Sequence, residues 1–173
     1  MGVPWKPFSK STLVVGSLGG ILFFCHALTS KSGFLILDYA NLPIHEAGHL
    51  IFGLLGLKAG IWGGTVMQLL MPALFSLYFF QRRESPGTAL CAFWTGENLL
   101  NIARYIADAR ALELPLVGGG EHDWNFILSD LGMLSRDTQI AESVRFLGWI
   151  IMVLALAWFV RQGLRSREAR RIS

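Results

Sequence analysis

Charge is what this sequence has least of. Asp, Glu, Lys and Arg make up 16% of its 173 residues, against about 25% in an ordinary soluble domain. None of the four occurs from Ser11 to Ser30, from Ala59 to Gln81 or from Phe146 to Val160. Each run approaches the ~20 residues that carry a helix across the ~30 Å hydrocarbon layer of a bilayer. A surface solvated mainly by water is therefore excluded, and 53% hydrophobic residues with a mean hydropathy of +0.47 agree. Cysteine is scarce too: Cys25 and Cys91 sit in apolar segments without Cys-x-x-Cys spacing, as small buried side chains do, which leaves no disulfide framework or thiolate metal cluster. Internal repeats are missing, which argues against the inverted-repeat plan of many transporters. The length holds one domain.

What charge there is clusters. The formal net charge is +3, and Arg161, Arg165, Arg167, Arg170 and Arg171 directly follow an apolar segment. That placement fits anchoring at a cytoplasmic leaflet and argues against a nucleic-acid partner. The expectation is a single all-α membrane domain over residues 1–173, a polytopic transmembrane helical bundle of about five spanning helices. A partly inserted segment precedes the last helix, and residues 161–173 form a basic cytoplasmic tail. The first apolar run, Thr12 to Leu28, resembles a secretory signal, but Gly16 and Gly20 at small-xxx-small spacing predict a retained helix packed closely on a neighbour.

Further helices are expected from about Leu42 to Gly56 or Lys58, Gly63 to Phe80, Pro86 to Asp108 and Phe146 to Val160. Asn41 reads as the cap of the second and Pro43 as part of its first turn. Alternatively that helix continues upstream with a kink at Pro43. In the fourth, Glu97, Asn98, Asn101, Arg104, Tyr105 and Asp108 recur at three- and four-residue steps and define one polar face. Arg104 and Asp108 stand four residues apart, the spacing of a local ion pair. A non-spanning excursion follows, with flexible Gly118-Gly119-Gly120, Asp123 as a possible cap, and an apolar stretch from Phe126 to Leu134.

The chemistry concentrates in His45-Glu46-Ala47-Gly48-His49. On a helix, residues i and i+4 lie one above the other, so both imidazoles can bind one Zn2+ while Glu46 reaches water beside it. Two histidines and a glutamate in an apolar segment carry an insertion cost that points to use. A third ligand must come from elsewhere. His122 and Asp123 are adjacent and both suit zinc, His122 placed slightly ahead, with Asp108 or Glu97 next. Gln68, the strong polar side chain of the third helix, is a candidate oxyanion donor or interhelical hydrogen-bonding group. Asn98 and Asn101 could line a water path or grip an extended peptide. Asp38, seven residues before His45, could accept a proton from a ligating imidazole or be a plain loop aspartate.

The stretch Pro43-Ile44-His45-Glu46-Ala47-Gly48-His49, its hydrophobic surroundings and an acidic residue far downstream resemble the site-2-protease superfamily, the peptidase M50-like intramembrane metallopeptidases. Tyr105-Ile106-Ala107-Asp108-Ala109-Arg110 and His122-Asp123-Trp124 are similar to a compact bacterial branch. The resemblance implies zinc on His45 and His49, Glu46 as general base and Asp123 completing the ligands. It differs downstream, where the superfamily sets its aspartate in Leu-Asp-Gly or Asn-Pro-x-Asp-Gly and this chain has Glu121-His122-Asp123-Trp124.

The expected function is zinc-dependent hydrolysis of a peptide bond in a membrane-associated protein or peptide, at a bacterial inner (plasma) membrane. Alternatives are an inactive scaffold or assembly factor on the same fold, a small transporter using the Glu97–Asn98–Asn101 face, or a hydrolase of lipid or non-peptide amides. One difficulty is depth: with five antiparallel crossings, His45 and His122 begin on opposite membrane faces. The expected solution is a fold-back after Gly118-Gly119-Gly120 into a cavity between the helices.

Overall fold

The computed structural model describes residues 4–116 and 122–172, and the side chains of the last helix as far as Arg167. Six α-helices and one short 3-10 turn make up its regular structure: α1 (Lys10–Thr29), α2 (Asp38–Gly53), α3 (Leu57–Gln81), α4 (Ser85–Ala107), α5 (Asp123–Asp130), the 3-10 turn (Leu134–Arg136) and α6 (Asp137–Ile172). Among the described residues there is no strand.

Three helices, α1, α3 and α6, are long and apolar enough to cross a membrane. Their outward sides carry large exposed apolar residues, Leu22 at 67% and Leu154 at 62% among them, far more than a water-soluble surface presents. The expected fold-back at Gly118-Gly119-Gly120 lies outside the described residues.

Two boundaries differ from expectation for identifiable reasons. Asn41 does not cap α2: the helix starts at Asp38, with Asn41 and Pro43 inside it. Proline costs a helix the bond to the carbonyl four residues back, yet the upstream turn is held by side chains. Asp38 accepts from the Leu35 backbone N–H at 2.6 Å, and Asn41 Nδ2 donates to both Asp38 Oδ1 (3.1 Å) and Glu97 Oε2 (2.9 Å). The basic tail is likewise no separate segment, since α6 continues through it to Ile172.

The helices form a layer in the order α2, α3, α4, α6, α1, neighbours running antiparallel. Glycine sets the spacing. A Cβ on Gly148 of α6 would stand 2.7 Å from the Gly96 carbonyl of α4, so the two backbones touch there. The same small-residue logic operates between α1 and α6, where Gly16 receives the Phe159 ring and Gly20 the Leu156 side chain. Thus the expected close packing of the first helix is present.

α5 lies across the ends of this layer. Ile127 and Leu128 are 1% and 2% exposed and join Ile102, Ile106 and Ala141 in one apolar cluster. Burying two such side chains contributes about 1.5–3 kcal/mol each, enough to hold an eight-residue helix that would not persist alone.

Candidate metal centre

Packing of α2 on α3 builds the first half of the site. A Cβ at Gly48 would strike the Gly63 carbonyl, and one at Gly64 would stand 2.5 Å from His45 Nε2. Glycines on α3 therefore make the room that the His45 ring occupies. His49, one turn on, directs Nδ1 at the Gly60 carbonyl, 2.8 Å away. His45 directs its Nδ1 at Gln68 Oε1, 3.0 Å away, and Gln68 Nε2 donates to Asn101 Oδ1 at 2.9 Å.

These contacts decide the tautomers. A carbonyl oxygen only accepts, so each Nδ1 carries the proton and each Nε2 keeps its lone pair. Both Nε2 atoms converge on Asp123 Oδ2, at 3.0 Å from His45 and 3.3 Å from His49. Asp123 opens α5, and its own backbone N–H donates to the Tyr105 hydroxyl at 3.2 Å.

Three lone pairs therefore face one another in a partly buried pocket. That donor set is two imidazoles and a carboxylate, with every ligand atom within 4.8 Å of the others. Tetrahedral zinc with bonds of ~2.0–2.2 Å separates its ligand atoms by about 3.3 Å, so the spacing fits such an ion. The backing hydrogen bonds from Gly60 and Gln68 are the kind that fix a ligating ring.

Glu46 lines the same cavity and has no hydrogen-bond or ion-pair partner among the described residues. The cavity, about 870 Å³, is otherwise walled mostly by apolar side chains, including Leu42, Ile61 and Phe126, with Asn101 and Tyr105 among its polar groups. Arg104 is the one Lys or Arg bordering it, and its guanidinium lies 5.8 Å over the Phe34 ring.

Several expected roles fall elsewhere. His122 does not join the histidine pair. It caps α5 by accepting from Asn125 N–H at 3.1 Å, and its Nε2 lies 3.3 Å from Asp108 Oδ2. Burial pushes the His122 imidazole below its ordinary range despite that carboxylate. Asp123 in turn is no cap of α5, because His122 fills that place. Asp108 accepts from the backbone N–H groups of Glu113 and Leu114, so it is a turn residue and not a ligand, and it does not pair with Arg104.

Asp38 does border the cavity, but its carboxylate serves Leu35 and Asn41, not an imidazole. Glu97 is fully buried against Asn41, which also accepts from the Trp94 indole N–H at 2.7 Å. Asn98 is fully buried and donates to the Trp94 carbonyl, so neither it nor Glu97 reaches the cavity wall. Of the expected polar face, Asn101, Arg104 and Tyr105 border the cavity, Asn101 bonded to Gln68 and Tyr105 to the Asp123 N–H. Gln68 itself has its amide oxygen and nitrogen on His45 and Asn101, the place of a positioning group instead of a free oxyanion donor.

Sequence reasoning missed Gly60 and Gly64, and it put Tyr105 on the polar face without a place at the site. The pattern Gly60-x-x-Gly63-Gly64 at the start of α3 was the available signal, because small residues at that spacing mark a helix face that admits a neighbour.

Fold and site together define an all-helical chain with membrane-length helices and a buried group of two histidines and an aspartate that could hold a metal ion. No family model, curated protein or solved structure matches the chain.

Proposed function

We propose that the protein is an intramembrane zinc metallopeptidase of the site-2-protease, M50-like kind, acting on a membrane-associated protein or peptide at a bacterial inner membrane. The observation that carries this reading is the convergence of the His45 and His49 lone pairs on Asp123 with an unpartnered Glu46 in the same cavity. His45, His49 and Asp123 are the residues that would hold zinc. A zinc ion there supplies Lewis acidity, polarising an amide carbonyl and acidifying water.

The chain's own residues account for the rest of the hydrolysis. Glu46 takes a proton from water as the water oxygen bonds to the scissile carbonyl carbon. It then returns that proton to the amine nitrogen as the C–N bond breaks. Gln68 and the Gly60 carbonyl hold the two rings in the tautomer that presents Nε2. The apolar wall excludes bulk water, which strengthens the charge interactions inside. A peptide must be locally extended for its carbonyl to reach this depth.

The unpartnered Glu46 favours catalysis over the scaffold reading, because a scaffold has no use for a half-buried carboxylate facing the histidine cavity without a partner. Glu46→Gln tests it: zinc by elemental analysis should remain, while cleavage of a quenched-fluorescent peptide library in detergent falls by about 10²–10⁴-fold. Undiminished turnover would remove Glu46 from the mechanism. Wild-type protein that holds zinc and cleaves nothing would leave the scaffold.

A further inference from the structure

Contacts along α4 serve as a depth scale. This helix starts beside the α3–α4 turn, where Lys6 pairs with Glu84 at 2.7 Å and the Lys6 N–H meets the Arg83 carbonyl. It ends at Ala107, beside α5. Phe24 near the end of α1 meets Phe93, and the chain then reaches the far end of α4, where Gly33 packs on Arg104. From there it turns back. Leu35 packs with Leu100, and Asn41 reaches Glu97 and Trp94, the midpoint of α4. α2 then runs outward again, antiparallel to α3, with His45 beside Gln68, His49 beside Gly60 and Gly53 against Gly60.

So α2, whose 16 residues span only ~24 Å, begins at mid-depth and leaves by the face it came from. At its inner end the buried Asp38 accepts from the Leu35 N–H, and Asn41 bonds Asp38, Glu97 and the Trp94 indole, so the polar side chains there are enclosed within the protein. With α2 not crossing, α1, α3, α4 and α6 are the four crossings. His45 and Asp123 then approach from the same side, which removes the depth conflict posed by five.

Both described ends of the chain lie on the other face. Phe8 N–H donates to Ser166 Oγ at 3.2 Å, and Trp5 packs on Phe80 and Trp158 at 5.3 and 4.9 Å. That face also carries Lys6 and Lys10, Arg82 and Arg83, and the arginine-rich end of α6, with Glu84 already paired to Lys6. The α5 face carries six Lys and Arg, Lys31, Lys58, Arg104, Arg110, Arg136 and Arg145, against nine on the other, and three of the six pair with Asp130, Asp137 and Glu142. An excess of Lys and Arg in short flanking segments marks the cytoplasmic side.

We infer that α2 is a re-entrant helix and that the metal cavity opens on the non-cytoplasmic face, so that its substrates are peptide segments presented from outside the cytoplasm. The substrate class rests on the proposed peptidase activity; the topology does not. The cavity's rim supports it, since Phe34, Leu57, Leu116 and Phe126 all belong to the α5 side.

Cysteine labelling tests the topology without any activity. On a Cys25→Ser, Cys91→Ser background, single cysteines replace Pro7, Ser32, Leu116 and Ser135 in the full chain. Intact expressing bacterial cells are then treated with a membrane-impermeant maleimide, and each variant is also labelled after SDS solubilisation as its reference. Near-complete labelling at Ser32→Cys, Leu116→Cys and Ser135→Cys, with Pro7→Cys labelled only after the inner membrane is opened, is expected. Five crossings would put Ser32 and Ser135 on opposite sides, so opposite labelling of these two overturns the re-entrant helix. Labelling of Pro7→Cys alone overturns the orientation. If the labelling is as expected but no peptide added outside is cleaved by active, zinc-loaded protein, the topology stands and the substrate class falls.

Discussion

At the scale of single residues, the tautomer argument makes Gln68 a positioning residue whose effect should appear in metal affinity. Gln68→Ala removes the acceptor that fixes His45 and leaves Asn101 without its donor. Losses of such supporting partners cost about 10–100-fold in metal affinity. Competition against a chromophoric chelator should show that loss, while an oxyanion donor would instead lower kcat with affinity unchanged. The two neighbours before and within α5 should separate cleanly. Asp123→Ala should abolish stoichiometric zinc, whereas His122→Ala should keep it and lower thermal stability, by leaving buried Asp108 without its imidazole. Protons compete with metal for both imidazoles, so zinc affinity should fall steadily as pH is lowered. Competition against a chelator of known pH dependence at stepped pH reads this; a zinc affinity that does not change with pH would argue against histidine ligation.

Among the helices, the His-Glu-x-x-His motif brought His45 and His49 together and set Glu46 on the same cavity because its geometry is local: spacing within one helix fixes which side chains meet. Which of His122 and Asp123 meets the histidine pair was not legible, since both residue types suit a metal and only the way α5 docks decides between them. α5 turns on its His122 cap, which carries that ring toward Asp108 and leaves the Asp123 carboxylate facing α2. The start of α2 was misplaced for a similar reason. Asn41 and Pro43 are ordinary signals of a helix start, but a buried partner on α4 gives Asn41 a different use. Packing of α2 on α3 offers its own test. Gly64→Ala introduces a methyl into the space of the His45 ring, and overpacking of this kind costs about 1–3 kcal/mol. The variant should lose zinc affinity while circular dichroism remains helical; unchanged affinity would mean that the ring has room to move.

Over the whole molecule, long apolar runs made the membrane character and the helical class plain from composition, and the small-residue spacing in α1 announced its packing on α6. The number of crossings was harder to read, because α2 is apolar enough to resemble a span, whereas its contacts set its start beside the middle of α4. Metal should also be a global clamp, since His45 and Asp123 belong to elements 78 residues apart. A ligand that binds only the folded state at 100 times its Kd stabilises by about 2.7 kcal/mol. A chelator should therefore lower the Tm of the wild-type protein and leave that of Asp123→Ala unmoved; equal shifts in both would place the stabilising metal elsewhere.

The hydrogen bonds of Asn41 also impose an order on biogenesis. Its partner Glu97 lies 56 residues downstream, and a ribosome adds only about 5–20 residues per second. For several seconds, therefore, a nascent chain has α2 without the carboxylate that secures its inner end. During that interval the segment has no enclosed place in the bilayer and must wait at the surface or beside the insertion machinery. It is drawn inward once α4 arrives, and His45 acquires its aspartate only after α5 has followed. A chain interrupted before Asp123 thus cannot bring the three side chains together, so the His45–His49–Asp123 group stays incomplete until α5 has been made.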